Sequence, residues 1–356
     1  MASLIFYFTI FTIVFIINSA ASSLYKKNKT VSKILIFISF LILLLIQGLR
    51  YKVGTDYEAY LDYYNLIKYS SWKSLFLINW EYGALIIFKL ASFLYETPTI
   101  MFFIIGFLNL YPLYRVNKLY EYKYLSYSIL TFCCLFLPFC LNGMRQGIAM
   151  GFVLLSFMYL IEQKQIKSII ALVTAILFHK TAVLIIPYII IYKLFKEKNF
   201  GKYCIVLSIT LSIVILFFLK DFFAENDILT YSYYLNDINI NNISIKVMMF
   251  YIPVIILMLL FSKRKQLYHK VLSTLVVSGI LFDIIGTSAK YLTRISLYFT
   301  FFQILLLPYL IQNIKNNDTK KIIKVLYVVY LILYFIIQFY MMGKHEIFPY
   351  RIINFS

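Results

Sequence analysis

Apolar runs about as long as a bilayer is thick recur along the whole chain, and that recurrence limits its fold more than any other feature. A spanning helix needs roughly 20 mostly apolar residues. Runs read as crossings lie at about 3–22, 31–49, 99–114, 124–141, 146–161, 168–179, 181–192, 203–219, 247–262, 271–288, 291–311 and 322–342. Backbone amides in lipid have no water to bond, so such runs must satisfy themselves internally as helices. The expected fold is therefore all-α, a polytopic membrane helical bundle of about 12 crossings. The stretch 74–95 is apolar but holds Glu81 and Lys89 and is interrupted by Gly83, so it is read as re-entrant or interfacial. Composition agrees: 62% of residues are hydrophobic and mean hydropathy is +0.83, against roughly 45–50% apolar in soluble domains. Polar segments reach only about 25–30 residues, too short to fold alone. The reading is one transmembrane domain, 1–356, with outside loops near 50–80 and 220–246. The run from Leu4 to Ile17 precedes Ser19-Ala20-Ala21 as in a signal peptide, yet it lacks a basic start and reads as a first span.

The net charge of +19 invites a nucleic-acid partner. The placement of the charge argues against one, because Lys and Arg sit in short loops between apolar runs. With the N-terminus outside, loops 23–33, 115–123, 162–167, 193–202, 263–270 and 312–324 face the cytoplasm and carry 21 Lys and Arg, against 12 on the outside. Both termini are then outside. Asp221, Glu225, Asp227 and Asp237 share one outside loop. The four cysteines, Cys133, Cys134, Cys140 and Cys204, fit no metal or redox spacing and read as small packing residues.

This topology brings Arg50, Asp56, Arg145, His179 and Arg294, from five separate places in the chain, to the outer membrane boundary. Ionisable residues at such depth are costly, so several on one face point to a site. In the segment from Arg50 to Tyr60, Gly54 permits a tight turn, Arg50 and Lys52 are candidates to hold phosphate, and Asp56 is a candidate base. Tyr57 and Tyr60 offer ring faces for sugars. The plainer alternative is a juxtamembrane belt of basic and aromatic residues. Arg145 and Gln146 stand between Gly143 and Gly147, where almost no loop separates two spans; the alternative there is a snorkelling arginine. His179 lies between two runs too short to span as straight helices, at the tip of a shortened hairpin or inside one kinked helix. Its imidazole can exchange a proton near neutral pH or simply bond structurally. Arg294 is either a ligand for substrate or a helix-end anchor, and Asp283 reads as structural. No phosphate-binding loop, dinucleotide fingerprint or metal-ligand cluster is present in the sequence, which argues against ATP-driven pumping.

Four motifs together, Arg50-Tyr51-Lys52-Val53-Gly54-Thr55-Asp56-Tyr57 with Tyr60, Asn142 through Ala149, Phe178-His179-Lys180-Thr181-Ala182, and Arg294-Ile295-Ser296 with Tyr298, resemble the EpsG-like branch of bacterial exopolysaccharide and O-antigen (Wzy-type) polymerases. The likeness runs from about 40 to 310, and the tail Pro349-Tyr350-Arg351 is also similar. The resemblance implies a multi-pass protein of the bacterial inner membrane. It implies a glycosyltransferase that joins oligosaccharide units carried on undecaprenyl diphosphate at the periplasmic face, using no metal, nucleotide or other cofactor. Membrane lipid and a chain-length regulator protein are the implied partners. On this basis Arg145 and Arg294 take the diphosphate leaving group, Asp56 or His179 acts as base, and Arg50, Lys52, Tyr57, Tyr60, Gln146 and Tyr298 position substrate. The competing expectations are a transporter or flippase of the lipid-linked unit and a glycan ligase. A transporter calls for inverted repeats and midplane charge, and no repeat is evident.

Overall fold

The computed structural model describes residues 1–94, 96–195, 199–217, 247–261, 267–287 and 290–353. In chain order the α-helices are α1 (Ala2–Leu24), α2 (Lys29–Gly48), α3 (Tyr57–Tyr69), α4 (Trp72–Leu75), α5 (Tyr82–Leu94), α6 (Thr99–Leu119), α7 (Leu125–Thr131), α8 (Leu137–Asn142), α9 (Met144–Ile161) and α10 (Gln165–Phe178). There follow α11 (Ile186–Phe195), α12 (Phe200–Phe217), α13 (Met248–Phe261), α14 (Leu267–Gly286), α15 (Lys290–Thr300), α16 (Gln303–Gln312) and α17 (Asn317–Phe335). The described structure is all-α; its one extended pairing is an isolated bridge between Arg50 and Ile352.

Among the described residues, 8 helical segments are long and apolar enough to cross a membrane. They are Ala2–Leu24, Lys29–Gly48, Thr99–Leu119, Leu125–Asn142, Met144–Ile161, Tyr268–Gly286, Leu292–Gln312 and Asn317–Met341. The remaining expected runs are also helical, at α10, α11, α12 and α13, but are not among those 8. Segment 74–95 holds the 13-residue helix α5, shorter than a span. The expected outside loop 220–246, with its acidic residues, lies outside the described residues.

The chain divides into two compact units: residues 1–180 with 321–356, and residues 181–320. In the first unit α1 keeps most of its apolar surface outward, with 28% of its span buried, whereas Leu125–Asn142 is 94% and α9 89% buried. The outer helices therefore suit contact with lipid, and the inner ones form the packed centre. Leu125–Asn142 is not one regular helix: Phe132–Phe136 forms a π-turn. Pro138 supplies the reason, since its ring crowds the carbonyl four residues back and its nitrogen has no hydrogen to donate.

The first unit has two distinct ends. At one, Ser22 Oγ donates to the Tyr122 carbonyl, Lys26 pairs with Glu121 and Arg115 Nε bonds the Tyr159 hydroxyl. The short basic loops 23–33 and 115–123 and the C-terminal part of α9 gather there. At the other end the chain's beginning and its last described residues are knitted together. Tyr7 bonds the Ile347 carbonyl, Tyr350 N–H bonds Ser3 Oγ, and Tyr51 N–H bonds the Arg351 carbonyl. An aromatic cluster of Tyr7, Phe11, Phe335, Phe348 and Tyr350 fills the space beneath.

The second unit is built on the pair α14–α15. Gly279 lies against Thr300 and Gly286 against Thr293, the register of an antiparallel hairpin. The Tyr188 ring packs at a tilt against Phe299 and its hydroxyl bonds Ser208, and Tyr251 donates to Asp283 Oδ2 at 2.7 Å. Asp283 thus accepts from a hydroxyl, in keeping with a structural role. The four cysteines are buried and unlinked.

Candidate functional site

Loop 50–56 reaches the centre of the first unit because of Gly54. Its φ of +101° is a conformation L side chains rarely adopt, and a Cβ there would meet the Leu141 carbonyl oxygen at 3.1 Å. Gly54 N–H bonds the Glu346 carbonyl. Next to it, Asn142 Oδ1 accepts from Thr55 Oγ1 and from the Asp56 amide, both at 2.7 Å. Asn142 ends α8, so the motif carrying Asp56 is fastened directly to the helix break that carries Arg145. Asp56 opens α3, whose residues Tyr60 and Tyr63 follow on the same face.

Arg50, expected to hold phosphate, is engaged within the protein. Its side chain is buried, with Nη1 donating to the Leu141 carbonyl, Nη2 directed to Met144 Sδ and the guanidinium 4.8 Å from the centre of the Phe102 ring. Helix ends leave carbonyls without intrahelical partners, and Arg50 satisfies one of them at the α8–α9 break. Burial pushes its guanidinium down to about 10, countered by Tyr60, Tyr57, Tyr350 and Tyr7; it stays protonated near neutrality. Tyr57 and Tyr60 are likewise buried, Tyr57 stacked on Phe102 and Tyr60 packed beside Trp80 and Phe88. Lys52 is exposed and pairs with Glu58 at 3.4 Å. Gln146 is buried in the first turn of α9. Arg50, Tyr57, Tyr60 and Gln146 are thus buried inside the first unit, and Lys52 lies at its surface.

The centre of the site is a residue that no motif contained. Glu81 begins α5: its carbonyl accepts from the amides of Ala84 and Leu85. Its carboxylate accepts from Arg145 Nη1 on Oε2 and from His179 Nδ1 on Oε1, the latter at 2.9 Å. Trp80 lies under the Arg145 guanidinium, 4.2 Å from ring centre to Cζ, and stacks on Tyr63 at 4.1 Å. Helix α10 stops at Phe178, and His179 is extended, with φ −157° and ψ 115°. Lys180–Ile185 then continues as a 3-10 helix. A break, not a continuous kinked helix, thus presents His179 to Glu81. Three helix ends converge: the N-termini of α5 and α9 and the C-terminus of α10. Their dipoles favour the Glu81 carboxylate at the first and a cationic imidazole at the last.

The approach of α5 to α10 depends on Gly83, where a Cβ would stand 2.7 Å from the Leu177 carbonyl oxygen. Lys89, whose side was not assigned from sequence, donates to the carbonyls of Ile67, Lys68 and Ser70 and so closes the C-terminus of α3. The sequence did contain a signal for Glu81: an acidic residue in an apolar run whose nearest basic residues, Lys73 and Lys89, are each eight residues away. That is too far for a pair within one helix, so its partners had to come from elsewhere.

In the second unit Arg294 and Tyr298 stand one turn apart on α15, Arg294 partly exposed and Tyr298 buried. The Tyr298 and Thr181 hydroxyls are 3.0 Å apart. Thr181 and Tyr298 both belong to the second unit. Among the described residues, no group of three or more His, Cys, Asp or Glu is placed to hold a metal ion.

No curated protein and no solved structure matches this chain. The EpsG family matches it over residues 33–352, a range that takes in every motif discussed above. The chain therefore belongs to the EpsG family of membrane proteins, a family linked to polysaccharide biosynthesis.

Proposed function

We propose that this protein is a polysaccharide polymerase that joins oligosaccharide repeat units carried on undecaprenyl diphosphate, at the outer face of a bacterial inner membrane. The observation that carries the reading is the bridge from Arg145 through Glu81 to His179: a cation and a proton acceptor, both at helix ends, joined by one carboxylate. A glycosyl transfer from a lipid diphosphate needs those two functions. Negative charge develops on the departing diphosphate, and fixed cations stabilise it. The acceptor hydroxyl must lose a proton as it attacks, which a positioned base assists. Arg145, with Arg294, serves the diphosphate; Asp56 or His179 serves as the base. The energy of the sugar–diphosphate bond drives the step without nucleotide or metal. Arg50 and Gln146 hold the machinery in place, and a chain-length regulator is the expected protein partner.

The test is the surface glycan of a strain lacking this chain, resolved by length. The reading predicts single repeat units with no ladder, restored by the wild-type chain and not by Arg145→Ala or His179→Ala at matched membrane abundance. Full-length polymer left on its lipid carrier would mean a ligase. Repeat units trapped on the cytoplasmic leaflet would mean a transporter.

A further inference from the structure

Glu81 belongs to none of the sequence motifs, yet its carboxylate bridges the cation and the histidine of the site. Side-chain exposure orders the three residues: 20% for Arg145, 6% for Glu81 and 4% for His179. An anion arriving from outside meets Arg145 first. Arg145 occupies the first turn of α9, where the helix dipole favours negative charge. Its Nε is buried with no hydrogen-bond partner, and Trp80 backs the guanidinium plane. Arg145 is thus bonded to Glu81 on one side while its side chain keeps 20% exposure to a ligand.

We propose that Glu81 is a positioning residue that couples donor binding at Arg145 to proton acceptance at His179, an inference that rests on the polymerase reading above. Before the donor binds, the carboxylate shares its charge between guanidinium and imidazole. A lipid diphosphate takes up hydrogen bonds of Arg145, and the Glu81 charge then acts mainly on His179. An imidazole whose Nδ1–H is donated to a carboxylate carries its lone pair on Nε2 and is the more basic for it. In the transfer step the acceptor oxygen bonds to the anomeric carbon. The bond from that carbon to the diphosphate oxygen breaks, its electron pair leaving with the diphosphate, and the hydroxyl proton passes to His179 Nε2. Donor binding and base strength are then linked through one side chain, and His179 is preferred over Asp56 as the base.

Among the described residues, the helices packed against α10 are α9 and α5. Helix α9 contributes Arg145, and α5 contributes Glu81, Tyr82 and Lys89, the last turned toward the end of α3. Lys180, next in the chain, is exposed. Removing the Glu81 charge removes the attraction for an imidazolium, so the base stays neutral to lower pH. Removing the Arg145 charge does the reverse.

The experiment measures transfer by the full-length protein in lipid nanodiscs, with a synthetic undecaprenyl-diphosphate oligosaccharide, as a function of pH. Glu81→Gln should lower kcat at least about tenfold, within the range a general base supplies, with donor KM little changed. Its acidic limb should move to lower pH by about one unit or more. Arg145→Ala should move the limb of its residual rate to higher pH, and Glu81→Asp should recover part of kcat with the wild-type limb. A Glu81→Gln protein with unchanged rate and limb, or a slowed one whose limb does not move, would overturn the role given to Glu81 alone. Absence of any transfer by the wild-type protein would overturn the polymerase reading and this inference together. Should Glu81→Gln fail to fold, the direction of the Arg145→Ala limb decides.

Discussion

The two ends of the first unit carry charge in opposite ways. At the end formed by loops 23–33 and 115–123, lysines are numerous and exposed; the Lys26–Glu121 pair spans 4.0 Å with both side chains largely in water. At the opposite end Arg50, Glu81, Lys89 and His179 are all buried and each has named partners. Exposed pairs in high dielectric contribute little, about 0–1 kcal/mol. Buried charges are tolerated only where partners compensate them, and breaking such a set is costly. The contrast separates two placements of charge that a count of Lys and Arg merges: exposed to solvent at one end, buried and paired at the other.

That contrast can be broken at several points. Glu81→Ala has the largest expected effect on stability, because it leaves Arg145 and His179 facing each other without a counter-charge. A loss of about 3–5 kcal/mol is expected, read as a lowered Tm of the detergent-extracted protein. Lys89→Met comes next. It leaves carbonyls at the end of α3 without their donor, at about 1–3 kcal/mol, and should also loosen the Trp80–Tyr63 stack, seen as a change in tryptophan fluorescence. Gly54→Ala should cost about 1–2 kcal/mol from its backbone conformation and should shorten the glycan ladder, because the loop carrying Asp56 is displaced. Lys26→Ala sharpens the comparison from the other side: Tm should stay within about 0.5 kcal/mol of wild type, with the ladder unchanged.

Much of the architecture was legible in the sequence because membrane solvent leaves few choices. Apolar length alone marked the helices, and all the runs taken as crossings are helical where they are described. The motifs of Asp56, Arg145 and His179 were also legible as candidates, since ionisable residues at the ends of apolar runs are rare. Depth of burial was not. Arg50 reads in sequence as an outward phosphate ligand, and only the three-dimensional position of the α8–α9 break shows its guanidinium occupied by Leu141 and Met144. Tyr57 and Tyr60 look equally exposed in sequence, yet they fall on the inner face of α3. Glu81 was hidden for a different reason. It stands at the start of a 13-residue helix too short to be read as a span, and its partners lie 64 and 98 residues further along the chain. Pairing over such separations is decided by packing, here by the close approach at Gly83, and local pattern does not report it.

The most direct test compares the surface-glycan ladder of cells carrying Arg145→Ala with that of cells carrying alanine at Lys26, Lys164 and Lys167 together, at equal membrane abundance. The account predicts no ladder from the first and a normal ladder from the second. A normal ladder from Arg145→Ala, with loss of polymer from the lysine variant, would contradict it.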